Sequence, residues 1–199
     1  MIVLDIEASG TNYEKHSIVS IGALDLANPS NQFYDECRVW EGAHLDPEAL
    51  VVAGFSKEEA TDPAKKSEAE IIRAFIAWTN DIDDHTFAGQ NVSFDRDFIK
   101  AACERGHIDY PFAHRAIDVH TLCYMHMVKR GIEPPFDAEK HRTALNLTAV
   151  AGYCGIPDER GEAHNALFDT YLHAEVISRL LYDEKLLPDF DQHEIPWRA

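Results

Sequence analysis

A chain of 199 residues, 45% of them hydrophobic, can bury roughly 70% of its unfolded-chain surface in one domain without staples. Its 35 Asp and Glu against 18 Lys and Arg give a formal net charge of -17, the wrong sign for tracking a long duplex through its phosphates. Cys37, Cys103, Cys123 and Cys154 form no Cys-x-x-Cys pair, and neither a signal-like segment nor an 18-residue apolar run occurs, so neither a disulfide framework nor a zinc knuckle is suggested and a soluble, cytoplasmic protein with reduced, mostly buried thiols is expected.

The chain opens with an apolar strand, Met1 to Ile6, in a stretch that carries Asp5 and Glu7. Two positions apart on a strand, both carboxylates point to one face. Side by side they repel each other and lose hydration. Either this is an edge strand with an acidic face, or the pair holds a divalent cation. Ser9, Gly10 and Thr11 follow, a turn where glycine admits close backbone approach. It reads equally as a plain strand ending and as a ligand contact. Ser17 to Leu26 and Gln32 to Trp40 are predicted as strands joined by the turn Asn28-Pro29-Ser30-Asn31, completing an antiparallel meander.

Pro47 starts a short helix, and Ser56 caps the turn after it. Ala64 to Ser67 breaks the pattern, and Ser67 with Glu70 forms a capping box for a helix whose apolar side is Ile71, Ile72, Phe75, Ile76 and Trp78. His85 to Gly89 reads as a short strand, and the helix after it carries Phe94, Phe98, Ile99 and Ala102. Asp95 falls in its first turn, where the helix dipole favours a carboxylate. Phe98 reads as core, and Asn91 as a capping residue or a site residue. Arg115 to Val119 is the last predicted strand, leading into a helix from His120 to Arg130. His120 and His126 are six apart, which is not metal-ligand spacing on a helix, so both read as structural or surface groups.

Residues 131–143 read as a loop whose cluster Lys140, His141 and Arg142 is either solvated or in contact with phosphate. Leu145, Leu147, Val150 and Ala151 continue as a helix ending near Gly155, and a final helix runs from Asn165 to Asp183. Residues 1–185 are taken as one domain and 186–199 as a C-terminal tail. A meander followed by alternating strands and helices predicts an α/β fold, a mixed five-stranded sheet with helices on both faces.

Asp5-x-Glu7, then Asn91-x-x-x-Asp95, then His164-x-x-x-x-Asp169 resemble, in order and spacing, the three motifs of the DEDDh family of 3′-to-5′ exonucleases. The resemblance covers residues 3 to about 180. It implies a ribonuclease H-like fold and hydrolysis of single-stranded DNA or RNA 3′ ends to nucleoside 5′-monophosphates. It also implies two divalent ions, Mg²⁺ or Mn²⁺, held by Asp5, Glu7, Asp95 and Asp169 with Asp5 bridging. Two such ions would bring -17 to -13. The turn Ala8-Ser9-Gly10-Thr11 would hold the terminal nucleotide, with Asn91 beside it and Phe94 as an apolar wall.

His164 lies five residues before Asp169, about 140° round an ideal helix, so it belongs on the loop before the helix. There the resemblance makes it the general base, a role that suits an imidazole. The other ten histidines read as surface groups. Two rival readings remain: an inactive relative that binds nucleic acid or protein, and a ribonuclease H-like endonuclease, against which His164 argues. The expected partner is a single-stranded 3′ end, with no membrane, and the chain acts as monomer, homodimer or part of a larger nucleic-acid-processing complex.

Overall fold

The computed structural model describes residues 1–157 and 165–198. It opens with an antiparallel meander of β1 (Ile2–Ala8), β2 (Ile18–Asp25) and β3 (Asn28–Arg38). The predicted turn at Asn28 to Asn31 is instead the start of β3, and the reversal is made by Leu26 and Ala27 alone. Asp25 tightens that turn by accepting from the Ala27 amide at 3.1 Å. Pro29 is tolerated in β3 because only Cys37 and Arg38 of this strand pair on its far side, so a missing N–H there breaks no ladder.

Short helices α1 (Pro47–Val52) and α2 (Lys57–Ala60) follow, then β4 (Lys66–Ser67), α3 (Glu68–Thr79), β5 (Phe87–Gly89), α4 (Ser93–Arg105), β6 (Ala116–Asp118) and α5 (Val119–Lys129). The capping box of Ser67 and Glu70 forms as predicted. The strands β7 (Phe136–Asp137) and β8 (Arg142–Thr143) precede α6 (Leu147–Tyr153) and α7 (Ala166–Tyr182). One mixed sheet runs β4-β3-β2-β1-β5-β6, with β5 parallel to β1 and β6 parallel to β5. It has six strands rather than five, because Lys66 and Ser67 add a two-residue edge strand. The β7-β8 ladder likewise replaces part of a predicted loop. Pairs this short leave no period-two pattern to read.

Alternation along β1 divides the molecule. Ile2, Leu4, Ile6 and Ala8 join Phe75, Phe98 and Ile99 in a core under α3 and α4. Val3 faces the other way, into a core with Leu172, Val176 and Ile177 of α7 and Val150 of α6. Asp5 and Glu7 share the face of Val3. All four cysteines are buried and free. Among the described residues no helix is long and apolar enough to cross a membrane.

The segment after α7 is docked on the domain. Leu187, Phe190 and Ile195 are buried, and a fully buried ion pair on α7 holds them. Arg179 Nε donates to Glu175 Oε1 at 2.7 Å, and its other nitrogens donate to the carbonyls of Cys154 and Phe190 at 2.9 and 3.1 Å. Glu175 Oε2 accepts from the Leu186 and Leu187 amides, both at 2.9 Å. Arg179→Met should therefore cost about 3–5 kcal/mol, since it leaves the Glu175 charge buried without its partner. Urea unfolding measures the loss, and limited proteolysis should cut first between residues 184 and 198. An unchanged midpoint would show that the pair contributes nothing.

Candidate active site

The cleft is built by setting one helix directly on one strand. Asp5 pairs with Gly22 across the β1-β2 ladder, and Glu7 with Ser20. A Cβ on Gly22 would lie 2.3 Å from the Ala166 carbonyl carbon and 2.5 Å from the Leu167 nitrogen, so only glycine lets the start of α7 rest there. Asn165 caps that helix, its side chain accepting from the Leu167 and Phe168 amides at 3.2 and 3.1 Å. Asp169 follows in the first turn, facing inward and buried. One carboxylate oxygen each from Asp5, Glu7 and Asp169 then lie within 4.8 Å of one another.

Asp95 arrives from the opposite side of the sheet, in the first turn of α4 as expected. It stands outside that group of three, and its Oδ1 accepts the Ile6 amide at 3.0 Å. The reason lies in the ladder. Ile2 donates to the Thr86 carbonyl beside β5, and by period two the Ile6 amide points the same way. β5 pairs only with Ile2 and Val3, so Asp95 supplies the acceptor the neighbouring strand no longer provides.

Burial and crowding govern the charges. The Glu7 carboxyl is pushed up to about 8, chiefly by burial and then by the charges of Asp169 and Asp95. Burial also raises Asp95, against the opposing hydrogen bonds from the Ile6 amide and its own, with Asp118 adding to the rise. Glu7 Oε1 is buried with no hydrogen-bond partner, a state that costs free energy unless something positive occupies it. Three convergent carboxylates with an unsatisfied oxygen fit a hard divalent cation such as Mg²⁺ or Mn²⁺.

The expected nucleotide contacts are placed unevenly. Ala8 and Ser9 are buried. The Ser9 hydroxyl is committed inside the protein, donating to the His44 carbonyl and accepting the Ser17 amide, both at 2.9 Å. A Cβ on Gly10 would lie 2.2 Å from the His16 ring and force that ring to shift, and Thr11 is exposed. Asn91 does not cap α4: Val92 occupies the N-cap, while Asn91 is exposed at φ 53°. Phe94 is half-buried against Phe98, ring centroids 4.7 Å apart. His164 lies outside the described residues.

A cavity of about 320 Å³ beside Asp5 and Asp169 is lined also by Gln90, Asn146, Thr148 and His173. Reading His173 as a surface group fails, since it is 1% exposed with Nδ1 3.3 Å from the Leu4 carbonyl oxygen. Its signal was present, because a residue four after Asp169 on a helix shares its face. Gln90 and Asn146 come together only through the tertiary fold.

The raised Glu7 carboxyl sets a sign for stability. Between about pH 4.5 and 8 native Glu7 keeps a proton that the unfolded chain has released, so stability falls as pH rises through that window. In EDTA the melting temperature should drop from about pH 5 to about pH 8, and Glu7→Gln should flatten the drop. Saturating Mg²⁺ should stabilise the wild type more at the higher pH, where its ligands are ionised. A wild type and Glu7→Gln with parallel pH profiles would contradict this.

An exonuclease family model matches residues 2–177. Ribonuclease T of Yersinia pestis is 27% identical over 198 residues, covering 90% of this chain and 83% of that protein. Ribonuclease T of Shewanella baltica is 27% identical over 200 residues, covering 90% and 80%. Among solved structures, the zinc-bound complex of E. coli exonuclease I with single-stranded DNA superposes with a TM-score of 0.71 at 19% identity, over 92% of this chain and 40% of that one. Exonuclease I of Methylocaldum szegediense gives 0.69 at 19%, over 92% and 41%. This chain thus spans about two fifths of the exonuclease I chains and shares their ribonuclease H-like fold. With the three motif carboxylates of β1 and α7 gathered at one cleft, the chain belongs to the exonuclease family, as a DEDD-type 3′-to-5′ exonuclease.

Proposed function

We propose that the chain removes nucleotides from single-stranded 3′ ends as 5′-monophosphates, with two divalent ions in the cleft and His164 as general base. The observation that carries this is the meeting of Asp5, Glu7 and Asp169 within 4.8 Å around a Glu7 oxygen that has no partner. These three and Asp95 are the residues that would hold the ions. Such a pair, when bound, supplies charge at the non-bridging and leaving oxygens and acidifies the attacking water.

The rest falls to the chain's own groups. His164 precedes the α7 N-cap in sequence and takes the proton from the attacking water as a neutral imidazole. Because the Ser9 hydroxyl is already committed, the terminal nucleotide meets the backbone around Gly10 and the side chain of Thr11. The half-buried Phe94 offers an apolar surface to a base. The oligonucleotide complexes of the exonuclease I relatives support a single-stranded substrate, and the net charge of -17 supports recognition concentrated at the strand end.

Asp5→Ala, Glu7→Ala, Asp95→Ala and Asp169→Ala should each abolish cleavage of end-labelled DNA and RNA oligomers in Mg²⁺ or Mn²⁺ while leaving the fold intact, and EDTA should do the same to the wild type. Any of the four retaining wild-type rates would leave the site. His164→Ala should lower turnover by about 10² to 10⁴ with metal binding preserved. Full activity with the same pH profile would assign the base elsewhere. The apparent affinity should depend only shallowly on salt, and blunt duplex should be a poor substrate. A steep salt slope with preference for long duplex would overturn the substrate reading.

A further inference from the structure

Beside the cleft lies a second cavity of about 710 Å³, and it is lined by Gln90 and Asn146 as well. The two spaces therefore adjoin through these side chains. Gln90 is fixed at the junction: its Nε2 donates to the Leu145 carbonyl at 3.0 Å. Its Oε1 is buried and has no partner, so an acceptor waits where the spaces meet.

The far wall is the β7-β8 hairpin. Lys140 and Arg142 both line the cavity, and both are exposed. The hairpin is anchored to α5, where His120 Nε2 lies 2.6 Å from Thr143 Oγ1. Two carboxylates also border the cavity, and each is engaged with backbone. Asp118 caps α5 by accepting the Thr121 amide at 3.3 Å, and Asp137 accepts the Glu139 and Lys140 amides at 3.0 Å, closing the hairpin turn. Neither Lys140 nor Arg142 makes an ion pair among the described residues. The Lys140 amide, and with it the charges of Lys140 and Arg142, hold the Asp137 carboxyl below its usual value, so the two cations form a small basic patch on a chain with a net charge of -17.

Resting on the exonuclease reading above, we infer that this cavity is a subsite for the strand leaving the cleft, with Lys140 and Arg142 contacting one or two backbone phosphates and Gln90 Oε1 accepting from the nucleotide at the junction. The ligand class is a single-stranded nucleic acid backbone, read through its phosphates, so DNA and RNA both qualify. Only short strands are needed to reach it. Affinity should therefore rise over the first few nucleotides and then level off.

The test is a length and salt series on the whole chain. kcat and KM are measured on 5′-labelled single strands from two to six nucleotides for the wild type, Lys140→Gln/Arg142→Gln and the charge-keeping pair Lys140→Arg/Arg142→Lys. The Gln pair should lose about tenfold in kcat/KM on the longer strands, through KM, while the dinucleotide suffers less. Its salt slope should be shallower by about 1.4, two phosphates at about 0.7 each for single strands. The charge-keeping pair should restore most of the loss. Length and salt profiles that superimpose on the wild type would overturn the subsite, as would an equal loss at every length. Should no form of the protein cleave any strand, the exonuclease reading falls by itself, and fluorescence anisotropy of a labelled hexanucleotide decides the cavity. Weaker binding by the Gln pair would then support it, and equal binding would overturn it.

Discussion

The distance between α7 and β2 at Gly22 is the constraint on which the cleft depends. Any side chain at that position would lift the start of the helix off the sheet. Asp169 would move with it, out of reach of Asp5 and Glu7. A residue with no functional group thus sets the geometry of three that have one. The same contact brings His173 over the Leu4 carbonyl, so the helix is positioned by packing at Gly22 and oriented by a buried ring one turn further on.

Close packing here carries an electrostatic cost. Glu7 is 8% exposed and Asp169 2%, and their carboxyls meet in a region where water screens little, which is why Glu7 holds its proton. Folding brings together carboxyl groups that each alone would stay ionised and solvated. The surrounding scaffold is accordingly conventional, with apolar cores on both faces of the sheet and a buried Arg179 that satisfies Glu175. The crowding of carboxylates falls at the place where a divalent cation would relieve it, as expected when local consistency is broken for function.

Much of this was legible in the residues. Period two on β1 put Asp5 and Glu7 on one face, and helix position put Asp95 and Asp169 in first turns. Periodicity located the long helices because they are long. It could not see β4, β7 or β8, two residues each, and it misread Asn28 to Asn31, where turn-favouring residues sit in the stretch of β3 that β4 leaves unpaired. It also could not see that Ser9 would be consumed by His44 and Ser17. That outcome depends on a loop 35 residues away, and no local rule reports where a hydroxyl's partners come from.

The order in which the chain is made gives the Gly22 contact another meaning. β1, β2 and β3 can zip together as soon as about forty residues exist, because the meander is local. Asp169 lies more than 160 residues after Asp5, and α7 needs the later segment through Phe190 to cover its buried Arg179. During synthesis the acids of β1 are therefore made long before the helix that brings Asp169 to them. The three-carboxylate cluster therefore cannot assemble on a chain that stops short of Asp169.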